Sequence, residues 1–373
     1  KRRLGGRHER GLPEFISWRL ASVGDYDDEA VRSAPRRQSR SLAAGTHGAV
    51  HRRGRRKPSM SETVSQLPIA TVERTGLTTV QDLGRFGFTD VGVPVSGAWH
   101  RARHRLAVAL VHGDTEDAHP PKPTLEILSA GLSLTFHAPQ IIAVVGSAGV
   151  RIDGSDAATG VALQVAANSV LEIEHYGPGP VYLALSGWQP HRTLGSAATD
   201  SFSRLGGLAG DGTPVARGQT LLGQPDLRTQ HVGSFLRTAE PTAGRISIIG
   251  TDAECVESFC DETWRVDSTA RSGVRLSGPK LPSPQSIASM PVVPGAIQLT
   301  PDGTAIVLGP DGGLTGGYPV VGVIASAHLD CIADLAIGDD VHFAEADPVS
   351  AAADFTAREQ RLASAIVRPD ALG

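Results

Sequence analysis

Residues 170–185 read VLEIEHYGPGPVYLAL. Leu171 and Ile173 alternate with Glu172 and Glu174, a period of two that places apolar side chains on one strand face and carboxylates on the other. Gly177, Pro178, Gly179 and Pro180 then break the chain, after which Val181, Leu183 and Leu185 resume the alternation. The two runs read as neighbouring strands. Outward from this stretch, Leu132, Leu134 and Phe136 alternate with Ser133 and Thr135, and further strands are expected at 141–146, 245–250, 304–309, 320–325 and 340–344. Most are too short and too closely spaced for repeated βαβ units, so the fold class is mainly β with a few helices.

Composition agrees. The 373 residues are 40% hydrophobic and 20% charged, enough for two domains with cores, and 43 Gly and 25 Pro against 5% aromatics point to many short elements joined by tight turns. No run of 18 apolar residues occurs, and Cys255, Cys260 and Cys331 cannot build a disulfide framework. A protein without membrane segments in a reducing, cytoplasmic compartment is the expectation. Residues 1–60 carry 15 Lys and Arg against 6 Asp and Glu, while the rest carries 20 against 33. With few apolar positions and no period, 1–60 reads as a basic, disordered extension, or as non-native sequence upstream of Met60. No nucleic-acid role is assigned to it.

Few helices are expected. Residues 96–112 step through Trp99, Ala102, Leu106, Ala109 and Leu110, with Ser96 as N-cap and Gly113 as stop. The opposite face, Arg101, Arg103, His104 and Arg105, reads as solvated and basic. Shorter helices are expected at 252–261, capped by Asp252, and at 326–336, capped by Ser326, with an Ala-rich helix at about 349–365. The poorly patterned stretch 221–244 is the boundary between two β-rich parts, 66–225 and 240–346, followed by a C-terminal helix and tail, 347–373.

There is no GxxxxGK[ST] loop, GxSxG elbow, HExxH or paired CxxC. Cys255 and Cys260 read as partly buried helix residues. His100 and His104 are one turn apart, but no acidic or Cys partner follows in sequence, and no metal is assigned. Three segments stand out. In the first, Gln81, Asp82 and Arg85 fall within five residues among Gly84 and Gly87, followed by Gly92, Ser96 and Gly97. Arg offers a bidentate fork and Gln both a donor and an acceptor, a pattern suited to a small carboxylate or amide, and equally met in a surface loop with an Arg–Asp pair. The second is VVPGAIQ, 292–298, ending at Gln298. The third is DGGLTGGYP, 311–319, with Thr315, Gly316, Gly317 and Tyr318, whose glycines offer backbone N–H groups to an oxyanion, or simply make a tight hairpin.

TTVQDLGRFGF, GVPVSGA, VVPGAIQLTPDG and DGGLTGGYP, in this order, resemble the biotin-dependent carboxyltransferase family, also called the allophanate hydrolase subunit 2 or KipA family, which includes the C subunit of bacterial 5-oxoprolinase. The resemblance runs from about 69 to 346. It implies two related cyclophilin-like β-barrel halves, with 66–225 and 240–346 the halves of one carboxyltransferase domain. It also implies a subunit of an ATP-dependent enzyme acting on a lactam such as 5-oxoproline or on a urea-like amide. ATP is used by a partner, nothing is bound covalently, and biotin, where used, arrives on another chain. The implied partners are a companion subunit of the KipI or allophanate hydrolase subunit 1 kind and a lactam-opening subunit. The resemblance implies Asp82, Arg85 and Gln298 as catalytic residues and Gln81, Ser96, Thr315, Gly316, Gly317 and Tyr318 as substrate-binding, with Arg85, Gln298 and Tyr318 lining one cleft. The sequence departs from the family pattern at Trp99-His100, where Met-Asp is usual. It departs again at Ser289-Met290-Pro291, where Ser-Glu-Gly is usual, and at Gly313, Leu314 and Val320, where Gln, Thr and Lys are usual. A regulatory binding protein, antagonist of a kinase inhibitor, is the competing reading.

Overall fold

Strands form where the β-branched and leucine-rich runs stand, and in the first part of the chain they sort into two sheets. The computed structural model describes residues 66–113, 120–226, 230–237, 244–251, 253–281 and 287–369. The expectations for 1–60 and for an Asp252 cap lie outside them. Among the described residues, the first sheet runs Thr220–Gly223, Leu67–Thr75, Leu132–Phe136, Val170–His175, Ala148–Ile152, Ser155–Ala157. The second runs Thr78–Gln81, Thr124–Ile127, Val181–Leu185, Gln140–Val145, Ala162–Val165. All pairings in both are antiparallel.

The expected adjacency of 170–176 and 181–185 is therefore corrected. Val170–His175 pairs with Leu132–Phe136 and Ala148–Ile152, whereas Val181–Leu185 pairs with Thr124–Ile127 and Gln140–Val145. The Gly-Pro turn carries the chain from one sheet to the other. Burial explains why. Glu172 and Glu174 keep one strand face wet and meet Arg151 at 3.4 and 3.3 Å. The VYLAL strand is buried on both faces: Leu183 and Leu185 enter the core between the sheets, and Tyr182 and Ala184 enter a second core on the other side. A strand with no wet face belongs in a middle layer.

Val72, Leu134 and Phe136 from one sheet meet Val80, Leu125 and Leu183 from the other in one core. Helix α1, Arg101–His112, covers the outer face of the second sheet, setting Ala102, Leu106 and Leu110 against Ile141, Ala143 and Tyr182. Each such Leu or Ile side chain contributes about 1.5–3 kcal/mol. The helix stops at Gly113, whose φ is 82° and whose N–H donates to Ala109 O at 3.0 Å. Its start is not Ser96. His100 is the N-cap, its Nδ1 accepting the Arg103 N–H at 3.3 Å, while Ser96 lies in the left-handed region (φ 54°) and bonds elsewhere.

The second part is a closed barrel: Ile246–Gly250, Val320–Ile324, Ala296–Leu299, Ala305–Leu308, Gly273–Ser277, Thr263–Ala270 and Asp340–Glu345, the last returning to pair in parallel with the first. Ile248, Val266, Leu276, Ile297 and Val307 fill it. Helix α2, Ala253–Cys260, brings Phe259 onto the Trp264 ring at 4.4 Å. Cys255 and Cys260 on it are half-buried, and burial pushes the Cys260 thiol up to about 11, with Glu345 adding to the shift. Residues Ser326–Asp334 form a 3-10 segment, not an α-helix, and Ser326 does not cap it; Ala325 precedes it without a side-chain bond. Helix α3, Pro348–Ala363, is started by Asp347, which accepts the N–H groups of Val349 and Ser350 at 2.9 and 3.1 Å, with Pro348 in its first turn.

The stretch 221–244 is divided in the structure. Residues up to Gly223 pair with Leu67–Thr71, and Phe235–Leu236 pairs with Ile366–Val367 beyond α3. Among the described residues no helix is long and apolar enough to cross a membrane.

Candidate functional site

Two loops of the first part lie back to back. The Arg85 N–H donates to Val95 O at 2.9 Å and the Ala98 N–H to Asp82 O at 2.8 Å, so the QDLGR and VPVSGA segments are joined by their backbones. Glycine makes this approach possible. At Gly84 (φ 99°) a Cβ would sit 2.6 Å from Val95 O, and at Gly97 (φ 92°) it would sit 2.8 Å from Gly84 N.

A third segment, 196–206, closes on both loops; sequence reasoning missed it. The Asp82 carboxylate accepts from Gly84 N (2.8 Å), Ser196 Oγ (2.6 Å), Ala197 N (2.8 Å) and Arg192 Nη1 (3.4 Å). Gln81 Nε2 donates to Thr79 Oγ1 and Thr199 O at 3.1 and 3.2 Å, and its Oε1 has no protein partner. Arg85, 1% exposed, donates from Nη2 to Ala198 O, while its Nε and Nη1 find no protein acceptor. Burial pushes this guanidinium below its ordinary value, against the pull of Asp200, Asp82 and Asp311. Asp200 accepts the Phe202 and Ser203 N–H groups on Oδ1, both at 3.0 Å, and its Oδ2 is without a partner. Buried groups in this state each cost about 1–3 kcal/mol, and four such atoms, Gln81 Oε1, Arg85 Nε and Nη1 and Asp200 Oδ2, stand in this one loop cluster.

The barrel reaches this cluster through Arg271. Its Nε and Nη2 grip Asp311 at 2.7 and 2.9 Å, its Nη1 meets Glu126 at 2.5 Å, and Nη2 also reaches Gly97 O at 2.8 Å. Ser96 Oγ bonds Asp311 Oδ1 at 2.6 Å and Thr199 O at 3.2 Å. Glu126 in turn accepts from Trp99 N (2.9 Å) and Tyr182 Oη (2.6 Å). Burial pulls the Arg271 pKa down, but Glu126 and Asp311 outweigh it and raise the value, so the guanidinium stays charged. Burial and then Glu126 raise the Tyr182 hydroxyl well above its ordinary value.

Asp311 opens the glycine-rich loop. Downstream, Thr315–Gly316 pairs with Met290–Pro291, and Thr315 and Tyr318 are exposed. Gly316 lies over Gln298: a Cβ there would come within 2.1 Å of Gln298 Nε2. Gln298 is 5% exposed and its Nε2 has no protein partner. Gly312 does not offer its N–H freely, since it donates to Gly309 O at 3.0 Å. The structure thus gathers Gln81, Asp82, Arg85 and Ser96 around 196–200, and Gln298 with Gly316 on the barrel, with Gly317 and Tyr318 following in the same loop. The Ser96–Asp311 bond ties the two groups. Among the described residues no hydrogen bond joins Arg85 to Gln298 or Tyr318.

The solvated basic face expected on α1 is corrected for Arg103, His104 and Arg105, while Arg101 is exposed. Arg103 holds Asp334 bidentately at 2.6 and 2.9 Å, Arg105 meets Glu359 at 2.6 Å, and His104 is buried with Nδ1 2.8 Å from Thr124 Oγ1.

Residues 91–345 match the family described as carboxyltransferase domain, subdomain A and B. The chain belongs to this family. The chain is 29% identical to the C subunit of 5-oxoprolinase from Escherichia coli, over 72% of its own length and 88% of the relative's. It is 29% identical to urea amidolyase of Lachancea kluyveri, over 71% of its own length but only 16% of that much longer protein. Among solved structures it is similar to TTHA0988 (28% identity, TM-score 0.67, 77% of this chain and 59% of that one). It shares the fold of the K. lactis urea amidolyase (24% identity, TM-score 0.69), covering 81% of this chain and 20% of that one.

The departures of this chain from the family pattern have visible consequences. With His100 at the N-cap of α1, carboxylate capping comes from the barrel side: Asp330 accepts the N–H groups of Arg101 and Ala102 at 2.8 and 2.9 Å. Val320 stands directly opposite Gln298 in the barrel, so an apolar side chain faces the buried amide. The 196–206 segment did carry a signal, Asp200 and Arg204 beside the positive-φ pair Gly206 and Gly207, the same acid, guanidinium and glycine signature as QDLGR. Arg271 carried none, because Glu126 is 145 residues away.

Proposed function

We propose that this chain is the carboxyltransferase-type subunit of an ATP-dependent enzyme that opens or transfers onto the C–N bond of a small amide, 5-oxoproline first among candidates, in complex with a companion subunit that uses the ATP. The observation that carries the reading is the set of buried polar groups without protein partners, Arg85 Nε and Nη1, Gln81 Oε1 and Gln298 Nε2. A guanidinium edge suits a carboxylate, an amide oxygen accepts from a lactam N–H, and an amide N–H donates to a carbonyl that becomes an oxyanion. The match to 88% of the 5-oxoprolinase relative, against 16% of urea amidolyase, supports the lactam over urea. Arg85 and Gln298 act on the substrate in this reading. Asp82, with both oxygens bonded to its own chain, positions the loop, and Ser96, Gly317, Thr315 and Tyr318 shape the approach. Where biotin takes part it arrives on another chain and supplies a bound carboxyl group; Gln298 Nε2 is the donor suited to its ureido oxygen.

The test is ATP-dependent consumption of 5-oxoproline by the chain purified together with its genomic neighbours. Arg85→Ala and Gln298→Ala are expected to lower turnover by one to two orders of magnitude, each removing a hydrogen bond worth about 1.5–3 kcal/mol. Arg151→Ala, on the outer sheet, is expected to leave it unchanged. Val320 opposite Gln298 favours a second reading, a regulatory binding protein. Equal, small effects of all three substitutions, together with tight binding of the companion subunit, would select it.

A further inference from the structure

A cleft of about 520 Å³ lies between α1 and α3, with Leu83 of the loop that carries Arg85 among its lining residues. One wall is the α1 stripe Arg101, Arg105 and Val108, and the other is the α3 stripe Phe355, Arg358, Glu359 and Leu362, each at helical spacing. Its volume is that of a small-molecule pocket.

The charge of this cleft is one-sided. Five cations line it, Arg101, Arg105, Lys122, Arg358 and Arg368, against two carboxylates, Asp330 and Glu359. Both carboxylates are already engaged: Glu359 by Arg105 at 2.6 Å, and Asp330 by Arg358 and by the first N–H groups of α1. Arg101 and Lys122 have no carboxylate within ion-pairing distance among the described residues. They belong to the same region of the wall. The bond from His104 to Thr124 holds the 121–124 segment against the turn of α1 that carries Arg101 and Arg105.

Apart from His104 and Ser326, the rest of the lining is apolar. Leu83, Leu106 and Phe355 contribute, and Phe355 is 40% exposed although it faces the cleft. Two cations that make no direct ion pair, beside the exposed Phe355 ring, suit a ligand with an anionic head and an apolar body, although Asp330 and Glu359 attract Arg101 from beyond ion-pair distance.

We propose that the cleft between α1 and α3 binds an amphipathic organic anion, its charged head on Arg101 and Lys122 and its apolar body against Phe355. The proposal does not depend on the amide chemistry.

Calorimetric titration of the full chain with decanoate tests this. Saturable binding of one decanoate per chain is expected, weakened about tenfold by either Arg101→Gln or Lys122→Gln and unchanged by Arg151→Gln, each variant melting as the parent does. Phe355→Ala is expected to weaken decanoate without affecting the dependence on salt. Decyltrimethylammonium, with the same tail and the opposite charge, is expected not to bind. Equal binding of the two amphiphiles, insensitivity to Arg101→Gln and Lys122→Gln together, or full displacement by equimolar inorganic phosphate would overturn the proposal.

Discussion

Arg271 holds Asp311 with two parallel hydrogen bonds, Nε to Oδ2 at 2.7 Å and Nη2 to Oδ1 at 2.9 Å, although the two residues come from different turns of the barrel. Because the same guanidinium meets Glu126 and Gly97, this single side chain fixes the glycine-rich loop against the two loops that carry Arg85 and Ser96. Removing it leaves the buried Glu126 and the half-buried Asp311 without their cation. Arg271→Met is therefore expected to destabilise the protein by about 3–5 kcal/mol in urea unfolding. Arg271→Lys is expected to recover only part of this, since an ammonium cannot form the fork. A loss below about 1 kcal/mol for the Met variant would mean that the loops hold their positions without the cluster.

Asp330 and Asp347 both cap helices, but in different surroundings. Asp347 is exposed and caps α3 locally, so Asp347→Ala is expected to cost about 1 kcal/mol. Asp330 is 4% exposed, caps α1 from another part of the chain and is gripped by Arg358. Asp330→Ala is expected to cost at least about 3 kcal/mol, because it removes the buried acceptor of two α1 N–H groups and the carboxylate that Arg358 grips. Equal losses for the two variants, measured by thermal unfolding, would show that α1 is capped by water instead.

These same residues show what can be read from a sequence. The strand at 132–136 and the five short strands after it were legible because alternation is local and burial acts on each strand's own face. Which sheet each strand joins was not legible. The 170–185 stretch looks like a hairpin until the second face of Val181–Leu185 is covered by α1, a fact no local pattern contains. Ser96 has the chemistry of an N-cap, but its hydroxyl is taken by Asp311, 215 residues away, and the helix starts later. The basic face of α1 misleads for the same reason: arginines look solvated until their acids, here Asp334 and Glu359, arrive from the far end of the chain. For the candidate site, ordered motifs marked the loops at 81–97 and 292–319. The side chains that join them, Arg271 and Glu126, stand in stretches with no pattern of their own.

Gly316 separates stability from function. A methyl group there would meet the tip of the Gln298 side chain, which can swing away, so Gly316→Ala is expected to cost less than about 1 kcal/mol of stability. If Gln298 acts on the substrate, the displaced amide should lower turnover of the assembled enzyme at least tenfold. Gly84→Ala is the contrasting case. Its φ of 99° and the Val95 carbonyl at 2.6 Å leave no soft neighbour, and a stability loss of about 2 kcal/mol or more is expected. Normal turnover in a well-folded Gly316→Ala protein would remove Gln298 from the mechanism.

His104 gives the protein a defined acid sensitivity. Burial, and after it the charges of Arg101 and Arg105, lower its pKa from 6.5 to about 3. In the unfolded chain the ring takes up a proton as pH falls through 6.5, while in the folded protein it stays neutral until about 3. The unfolded state therefore binds more protons in this window, and stability is full above 6.5 and falls as pH decreases, by about 1.4 kcal/mol per unit for this one group. His104→Asn keeps a polar partner for Thr124 Oγ1 and removes the titration. The variant is expected to be less stable than the parent at pH 7.5, by the cost of the altered packing. By pH 5 that deficit is expected to shrink by about 2 kcal/mol, because only the parent loses the His104 contribution. Urea unfolding of both proteins at the two pH values measures the change. A deficit that stays constant would mean that the folded protein admits a proton at His104, and that Arg101 and Arg105 do not confine the ring as the geometry indicates.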